Sequence, residues 1–390
     1  MIENAPKITN NEQFATNLTT FITSKSSCIF DEIKNNIPFS KILILCLVST
    51  FCKRGKKIKE QLEERGNNAI VFAYEDDYSF NLESAVGLFN LPENIRGVIV
   101  TDNSLVALSK YFCSIKQIPC YYYCNQMDLA KITSPLIHIK SKKGIDKFFI
   151  DCKRVLVIDE DKNSSKIFFE SVIDYLLNRA VSLMDYKFIN IVLGLKENEN
   201  LTNNLKRLLD FMIYIDYKVI KRSDTLQKIL NFENAIQNEK SITLSFSSID
   251  ACLMLYGNEN KLGLERVIAP LILKIYNKCL EINAPKGIVD YRKRAETVSK
   301  LFRIEQTPLL KNFYNQASLF SSEKTIITRL SKEKSFLEQM NNDIQKLIKK
   351  TTMPKDIDSN KLCQAISSCG DTPFSLNGMS VFRQLGMLKE

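Results

Sequence analysis

The sequence has little of what most enzyme chemistry leans on. Among 390 residues there is one histidine, His138. Imidazole is the commonest general acid or base and the commonest ligand for zinc or iron, so any histidine-dependent mechanism here has a single candidate. His138 sits in the alternating stretch 135–140, which reads as an edge strand with an ordinary half-exposed side chain. Glycine and proline are also sparse, at 12 and 10 positions. With 45% hydrophobic and 25% charged residues, this scarcity excludes collagen-like and disordered classes and leaves a globular chain long enough for two or three domains. No uncharged apolar run is long enough to cross a bilayer, so no membrane partner is expected. The most apolar segment, Ile42 to Phe51, follows Lys41, precedes Lys53 and Arg54, and reads as a buried strand, not a signal peptide.

Cysteine is not scarce, but it lacks pattern. Eleven cysteines without a Cys-x-x-Cys pair support neither a disulfide framework nor a zinc ribbon, and the expected location is the reducing cytoplasm. Cys113, Cys120 and Cys124 cluster at spacings that match no common metal knuckle, so ordinary buried thiols are expected. The net charge of +10 would suit a nucleic-acid partner if it were concentrated. Patches such as Lys53 to Lys57, and Lys346 with Lys349 and Lys350, are short and interrupted, so nucleic acid is not an expected partner.

From Lys41 the chain alternates short apolar runs with amphipathic stretches. Strands are predicted at Ile42–Val48, Ala69–Ala73, Gly97–Val100, Cys120–Tyr123 and Val155–Ile158, with helices near Gly55–Arg65, Leu82–Leu91 and Ser104–Ile115. This β-α-β rhythm implies a parallel, doubly wound sheet with right-handed crossovers. After Asp159 the apolar period becomes three to four, predicting helices at Phe168–Tyr186, Leu201–Tyr214, Thr225–Gln237, Ile249–Tyr256, Leu264–Ile282 and Ser331–Lys349. The expected fold class is an α/β Rossmann-like parallel-sheet domain, residues 1–160, followed by an all-α domain, residues 161–390. The boundary lies near Asp161 to Ser165, with Asn163 or Ser164 as helix cap. A further helix, around Glu12–Thr23, is expected ahead of the sheet.

The segment from Gly97 to Lys110 carries a strand into a helix N-terminus at Thr101-Asp102-Asn103-Ser104. In such a sheet that junction is where a dinucleotide pyrophosphate sits. Here the element order resembles the iron-containing alcohol dehydrogenase and dehydroquinate synthase-like superfamily, whose pattern at this point is a glycine run, Ser or Lys, an apolar pair, Asp, two residues and Lys. Ser104 and Lys110 fit that pattern. Thr101, Asp102 and Asn103 replace the glycines, and Ala107 replaces the aspartate. Side chains at those positions crowd a diphosphate, and the charge of Asp102 repels it. A reading without any ligand, in which Asp102 or Asn103 caps the helix, also accounts for them.

The resemblance continues through Asn125 to Asp128 and Ser134 to Ile137, similar to the glycerol-1-phosphate dehydrogenase branch. It extends through Arg154 to Asp159, Val172 to Leu177 with Asp185 and Tyr186, and Phe382 to Leu388. It implies cofactor contacts from Asp102, Asn103, Ser104, Lys110 and Asp128 to NAD or NADP. Active members hold a divalent metal on one Asp and two His, and the metal polarises the substrate hydroxyl for hydride transfer. Asp174 matches the aspartate. The expected histidine places read Ser247-Ser248-Ile249-Asp250 and Gly263-Leu264-Glu265-Arg266-Val267. The family metal, zinc, iron or nickel, is therefore expected to be lost, although Asp174, Asp250 and Glu265 would suit magnesium or manganese if they converged.

No catalytic residue is assigned. The expected function is that of a divergent, pseudoenzyme-like member of this superfamily, with lost or strongly altered NAD(P)-linked oxidoreductase activity. The competing expectation is an active dehydrogenase of a small polyol phosphate with a carboxylate-rich metal site. A small-molecule or nucleotide ligand and a homo-oligomer are both compatible with it. Asp174 and Asp250 are expected to face one another across a cleft between the two halves, with Gly263 beside them.

Overall fold

A computed structural model of the chain describes residues 19–24, 28–78, 80, 82–91, 94–123, 128–134, 136–141, 144–150, 152–159, 165–238, 247–256, 263–282, 289–302, 305–320, 323–371 and 376–388. The strands are β1 (Thr19–Ser24), β2 (Lys41–Leu47), β3 (Asn68–Tyr74), β4 (Ile95–Val100), β5 (Cys120–Tyr122), β6 (Leu136–Ser141), β7 (Gly144–Phe149) and β8 (Arg154–Asp159). Six of them form one parallel sheet in the order β1-β8-β5-β4-β2-β3, while β6 and β7 form a separate antiparallel hairpin. The helices of the sheet half are α1 (Cys28–Asn36), α2 (Val48–Thr50), α3 (Lys56–Glu63), α4 (Leu82–Phe89), α5 (Val106–Lys116) and α6 (Leu129–Thr133). A π turn at Phe51–Gly55 precedes α3, and a 3-10 turn at Asn103–Leu105 precedes α5.

The central strand β2 shows why the sheet forms. Its run Lys41-Ile-Leu-Ile-Leu-Cys-Leu47 has no polar alternation, as expected of a parallel strand covered on both faces. Leu43 and Leu45 join the main core, while Ile42 and Ile44 turn to a smaller core with Ile29 and Phe30 of α1 and Ile58 and Leu62 of α3. From β2 the chain moves to β3 on one side and then back across to β4 on the other. The crevice between the ends of β2 and β4 is thus the topological switch point, where such sheets bind ligands.

Every described element after Asp159 is helical: α7 (Ser165–Leu193), α8 (Glu199–Tyr214), α9 (Arg222–Asn238), α10 (Ser248–Tyr256), α11 (Glu265–Leu280), α12 (Tyr291–Phe302), α13 (Gln306–Ser318), α14 (Glu323–Leu330), α15 (Lys334–Ile348), α16 (Ser359–Ser368) and α17 (Gly378–Gln384). A parallel-sheet half followed by a helical half is the fold class the sequence predicts. The axis of the helical half is α7, whose 29 residues are buried almost continuously from Phe168 to Asn190. A helix buried all round must pair each polar side chain it carries, and α7 carries Asp174, Asn178, Arg179 and Asp185.

The expected helix at Glu12–Thr23 is a correction. Thr19–Ser24 forms strand β1, parallel to β8 from Thr19 opposite Arg154 to Ser24 opposite Asp159, and residues 12–18 lie outside the described residues. Five of the six residues in Thr-Thr-Phe-Ile-Thr-Ser are β-branched or aromatic, and the open edge of β8 supplies the partner that makes this preference decisive. His138 does lie in a strand, but in the β6–β7 hairpin opposite Lys147. The proposed caps Asn163 and Ser164, and Cys124, Asn125 and Gln126, lie outside the described residues.

Candidate functional site

At the switch point the chain supplies its own anion. Asp102 follows β4, and its Oδ2 accepts from the backbone N–H of Leu47 at 3.1 Å, the Thr50 hydroxyl at 2.8 Å and the Thr101 hydroxyl at 2.6 Å. Leu47 ends β2 and Thr50 lies in the turn after it, so one carboxylate ties the two strand ends across the crevice. The Ser49 N–H in the same turn donates to Asp76 at 3.0 Å, and hydrogen bonding from the Ser49 side chain, together with this N–H, holds the Asp76 carboxyl below its usual range. On the other side of Asp102, Arg54 donates to the carbonyl of Thr101 at 3.0 Å. Two N–H groups beside the crevice, those of Leu47 and Ser49, are thus engaged with carboxylates.

The other residues matched to cofactor contacts lie close by. Asn103 accepts from the Asp128 N–H at 3.1 Å, and Asp128 caps α6 by accepting from the Lys131 N–H at 2.9 Å. Lys110 is fully buried, and its ammonium donates to the carbonyls of Lys131 and Ser134, the latter at 2.8 Å. Arg154 joins it, donating to Thr133 at 2.7 Å and Ser134 at 2.8 Å. Two cations therefore cover the carbonyl end of α6, where helix dipole and unpaired acceptors favour positive charge. Burial, with Arg154 alongside, pushes the Lys110 ammonium well below the ordinary lysine value. Ser104 differs from all of these. It is 3% exposed, and among the described residues its hydroxyl has no hydrogen-bond partner.

In the helical half Asp174 is held by a guanidinium. Arg266, in the first turn of α11, donates from Nε to Oδ1 at 2.6 Å and from Nη2 to Oδ2 at 2.8 Å, a bidentate pair. Its Nη1 donates to the Thr352 carbonyl at 2.5 Å and lies 3.4 Å from Glu170. Gly263 adopts φ +83°, and a Cβ there would stand 3.3 Å from the guanidinium, so the arginine packs against the glycine where the resemblance expects imidazole. Burial pushes the Asp174 carboxyl up to about 6, with Arg266 working the other way. Glu265 is half-buried beside Asp174 and Asp128, and burial together with those two carboxylates raises its carboxyl well above the usual range.

Asp250 meets α7 one turn beyond Asp174. Its Oδ1 accepts from Asn178 at 2.9 Å, and its Oδ2 accepts from the N–H and the hydroxyl of Ser247, both at 2.9 Å. The structure thus places Asp174 and Asp250 against the same helix with separate partners. For a divalent metal the fit is poor. Both oxygens of Asp174 face a permanent cation, both of Asp250 accept from neutral donors, and among the described residues no group of three or more His, Cys, Asp or Glu side chains is arranged to hold an ion.

Between α5, α6 and α10 lies a cavity of about 150 Å³, lined among others by Asn103, Ser104, Lys110, Lys131, Arg179 and Asp250. Arg179 is 5% exposed, donates from Nε to Glu233 at 2.6 Å, and shares that oxygen with the Tyr175 hydroxyl, also at 2.6 Å. Pockets for cofactor-sized ligands run to roughly 300–1,000 Å³. Arg266, Arg179 and Glu233 were not singled out from the sequence. Arg266 stands inside a quoted motif, at a position where that motif specifies no residue. Arg179 and Glu233 lie 54 positions apart with no local pattern to join them.

No model of a known protein family matches the sequence, and no curated protein matches it. Among solved structures it is similar to the NADH-dependent butanol dehydrogenase A of Thermotoga maritima, at 14% identity and TM-score 0.50, over 96% of this chain and 98% of that one. It is also similar to a mutant of the archaeal halo-thermophilic Red Sea brine pool alcohol dehydrogenase, at 10% identity and TM-score 0.50, over 90% and 97% of the two chains. An iron-containing alcohol dehydrogenase of Thermotoga maritima is similar at 11% identity and TM-score 0.46, over 85% and 98%. The chain therefore has the fold of the iron-containing alcohol dehydrogenases.

Proposed function

We propose that the chain is a divergent relative of these dehydrogenases, nearest the glycerol-1-phosphate dehydrogenase branch, in which metal-dependent, NAD(P)-linked hydride transfer is lost. The observation that carries the reading is the bidentate Arg266–Asp174 pair. A divalent ion at Asp174 would have to displace a guanidinium that cannot deprotonate, or sit beside it against strong repulsion. With histidine absent from both other ligand positions, no remaining donor set compensates for that cost. The switch point supports the same reading from the anion side, because Asp102 engages the Leu47 N–H and presents negative charge to any pyrophosphate. On this reading residues 1–160 and 161–390 persist as the ancestral nucleotide and metal domains, and the cleft between them serves binding.

Elemental analysis and a thermal-shift titration of the full chain test it. The expected outcome is substoichiometric zinc, iron and nickel, with no stabilisation by NADH or NADPH at concentrations up to millimolar. A dinucleotide at a hundred times its dissociation constant would stabilise by about 2.7 kcal/mol, an effect too large to miss. Stoichiometric metal lost on mutating Asp174, or magnesium- or manganese-dependent oxidation of a polyol phosphate, would establish the competing dehydrogenase.

A further inference from the structure

The cavity beside Ser104 has a use for which the closed crevice and the occupied Asp174 leave room. Its polar groups are unevenly engaged. Lys110 gives its donors to the α6 carbonyls, and Asp250 accepts from Asn178 and Ser247 on both oxygens. Ser104, in contrast, keeps a buried hydroxyl with no partner among the described residues, a penalty that a ligand oxygen at that point would relieve. Arg179 gives its Nε to Glu233 and sets its guanidinium 5.3 Å from the Tyr175 ring, two contacts that fix its orientation where it lines the cavity. The lining carries three basic groups, Lys110, Lys131 and Arg179, against the one carboxylate of Asp250, while behind the wall Arg179 pairs with Glu233 at 2.6 Å and Lys131 lies 3.5 Å from Asp128. Apart from Asn103 and Ser134 the remaining wall is apolar, including Val106, Ala107, Leu253 and Met254. A dry cavity of this size accepts a molecule as large as benzene.

We infer that this cavity binds a short-chain organic carboxylate, its anionic head between the Ser104 hydroxyl and the Arg179 guanidinium and its carbon chain against Val106, Ala107, Leu253 and Met254. The inference deepens the proposed function, since it assigns the cleft to a small anion on the reading that no dinucleotide extends through it. A carboxylate matches the forked donors of arginine, and its head satisfies the orphaned hydroxyl. Glu233 and Tyr175 form a rigid backing, which holds the guanidinium in place before the ligand arrives.

The experiment is calorimetric titration of the full chain with acetate, butyrate and hexanoate, with 1-butanol and inorganic phosphate as comparators, in a buffer free of carboxylates. Butyrate is expected to bind at least tenfold more tightly than 1-butanol or acetate. Ser104→Ala removes only an unpaired hydroxyl, so the fold should keep its unfolding midpoint while butyrate weakens about tenfold. Ala107→Leu, which fills the cavity, should abolish binding without lowering that midpoint. Equal binding of 1-butanol, preferential binding of phosphate, undiminished binding by Ser104→Ala, or no carboxylate binding at millimolar concentration overturns the inference. NADH stabilisation with butyrate still binding would sink the closed-crevice reading and leave the carboxylate site standing. Displacement of butyrate by NADH would sink both.

Discussion

Asp102 in the sheet half and Arg266 in the helical half differ in sign, burial and what they hold. Asp102, on the sheet side, is partly exposed, and its carboxylate gathers one backbone N–H and two hydroxyls. Arg266, on the helical side, is 6% exposed and forks onto Asp174. On the proposed reading each carries the charge of the group it replaces, an anion where pyrophosphate sat and a cation where a metal sat. A tethered charge needs no ligand concentration and forms with the fold. The exposed side can lose its charge to water, whereas the buried side cannot, so the two should differ sharply in energetic weight.

The largest effect is expected on the buried side. Arg266→Ala leaves Asp174 buried beside Glu170 and Glu265 without a cation, and breaking a buried pair in this way costs about 3–5 kcal/mol. Denaturant titration should show it as a shifted midpoint. Arg266→Ala with Asp174→Ala should recover much of the loss, because the second change removes the stranded charge. If the single variant is as stable as the parent, the guanidinium is not the counter-ion of the helical half. A gain of stoichiometric zinc or manganese binding by Arg266→Ala would sharpen the comparison, since the arginine alone would then have been excluding the ion.

What the sequence disclosed and withheld follows from the same difference. Five strands of the sheet, the helical second half and the switch-point loop were legible because periodicity and strand-to-helix junctions are local signals. Even Asp102 was readable as a poor neighbour for phosphate, since its position in the loop fixes its charge there. Its bond to Leu47, 55 residues away, was not. The Arg266–Asp174 pair spans 92 residues and Arg179–Glu233 spans 54, and nothing in residue spacing reports which helices of a buried bundle touch. Strand β1 was missed for a related reason, because its partner β8 enters 130 residues later and a β preference without a partner is weak.

Asp185 is what a buried carboxylate of this half looks like with no arginine, and it yields an intermediate effect. It is fully buried and accepts from Tyr276, Ser248 and the Gly378 N–H, drawing α10, α11 and α17 onto α7. Burial pushes its carboxyl up to about 7 from an ordinary 3.8, with those hydrogen bonds opposing. A raised carboxyl stabilises the fold fully below the unfolded value and loses that stability as pH rises from about 4 through about 7. Asp185→Asn should therefore be more damaging near pH 5 than near pH 8, by at most about 2.7 kcal/mol, the two pH units from 5 to 7 at 1.36 kcal/mol each. Unfolding curves of both proteins at the two pH values measure it. The opposite slope would mean that the hydrogen bonds outweigh burial and keep Asp185 ionised.

The smallest effect belongs to the exposed side, and it bears most directly on the lost anion site. Asp102→Gly takes one acceptor from the Leu47 N–H and from the Thr50 and Thr101 hydroxyls, but each keeps a second partner: the Leu47 N–H donates to the Thr50 hydroxyl at 3.1 Å, that hydroxyl donates to the Leu47 carbonyl at 3.0 Å, and the Thr101 hydroxyl donates to the Leu45 carbonyl at 3.3 Å. The expected cost is about 1 kcal/mol, typical of a lost helix cap. The same change removes the charge that opposes a phosphate and clears one side chain from the crevice, while Thr101 and Asn103 still crowd it. Inorganic pyrophosphate should then stabilise Asp102→Gly and not the parent, weakly and in a salt-sensitive way, by about 0.4 kcal/mol when its concentration equals its dissociation constant. A thermal-shift series at low and high salt reads this. If pyrophosphate stabilises the parent equally, Asp102 does not close the crevice to anions and the symmetry between the two sides fails. If it stabilises neither, Thr101 and Asn103 suffice to exclude it, and Asp102 serves only to tie β2 to β4.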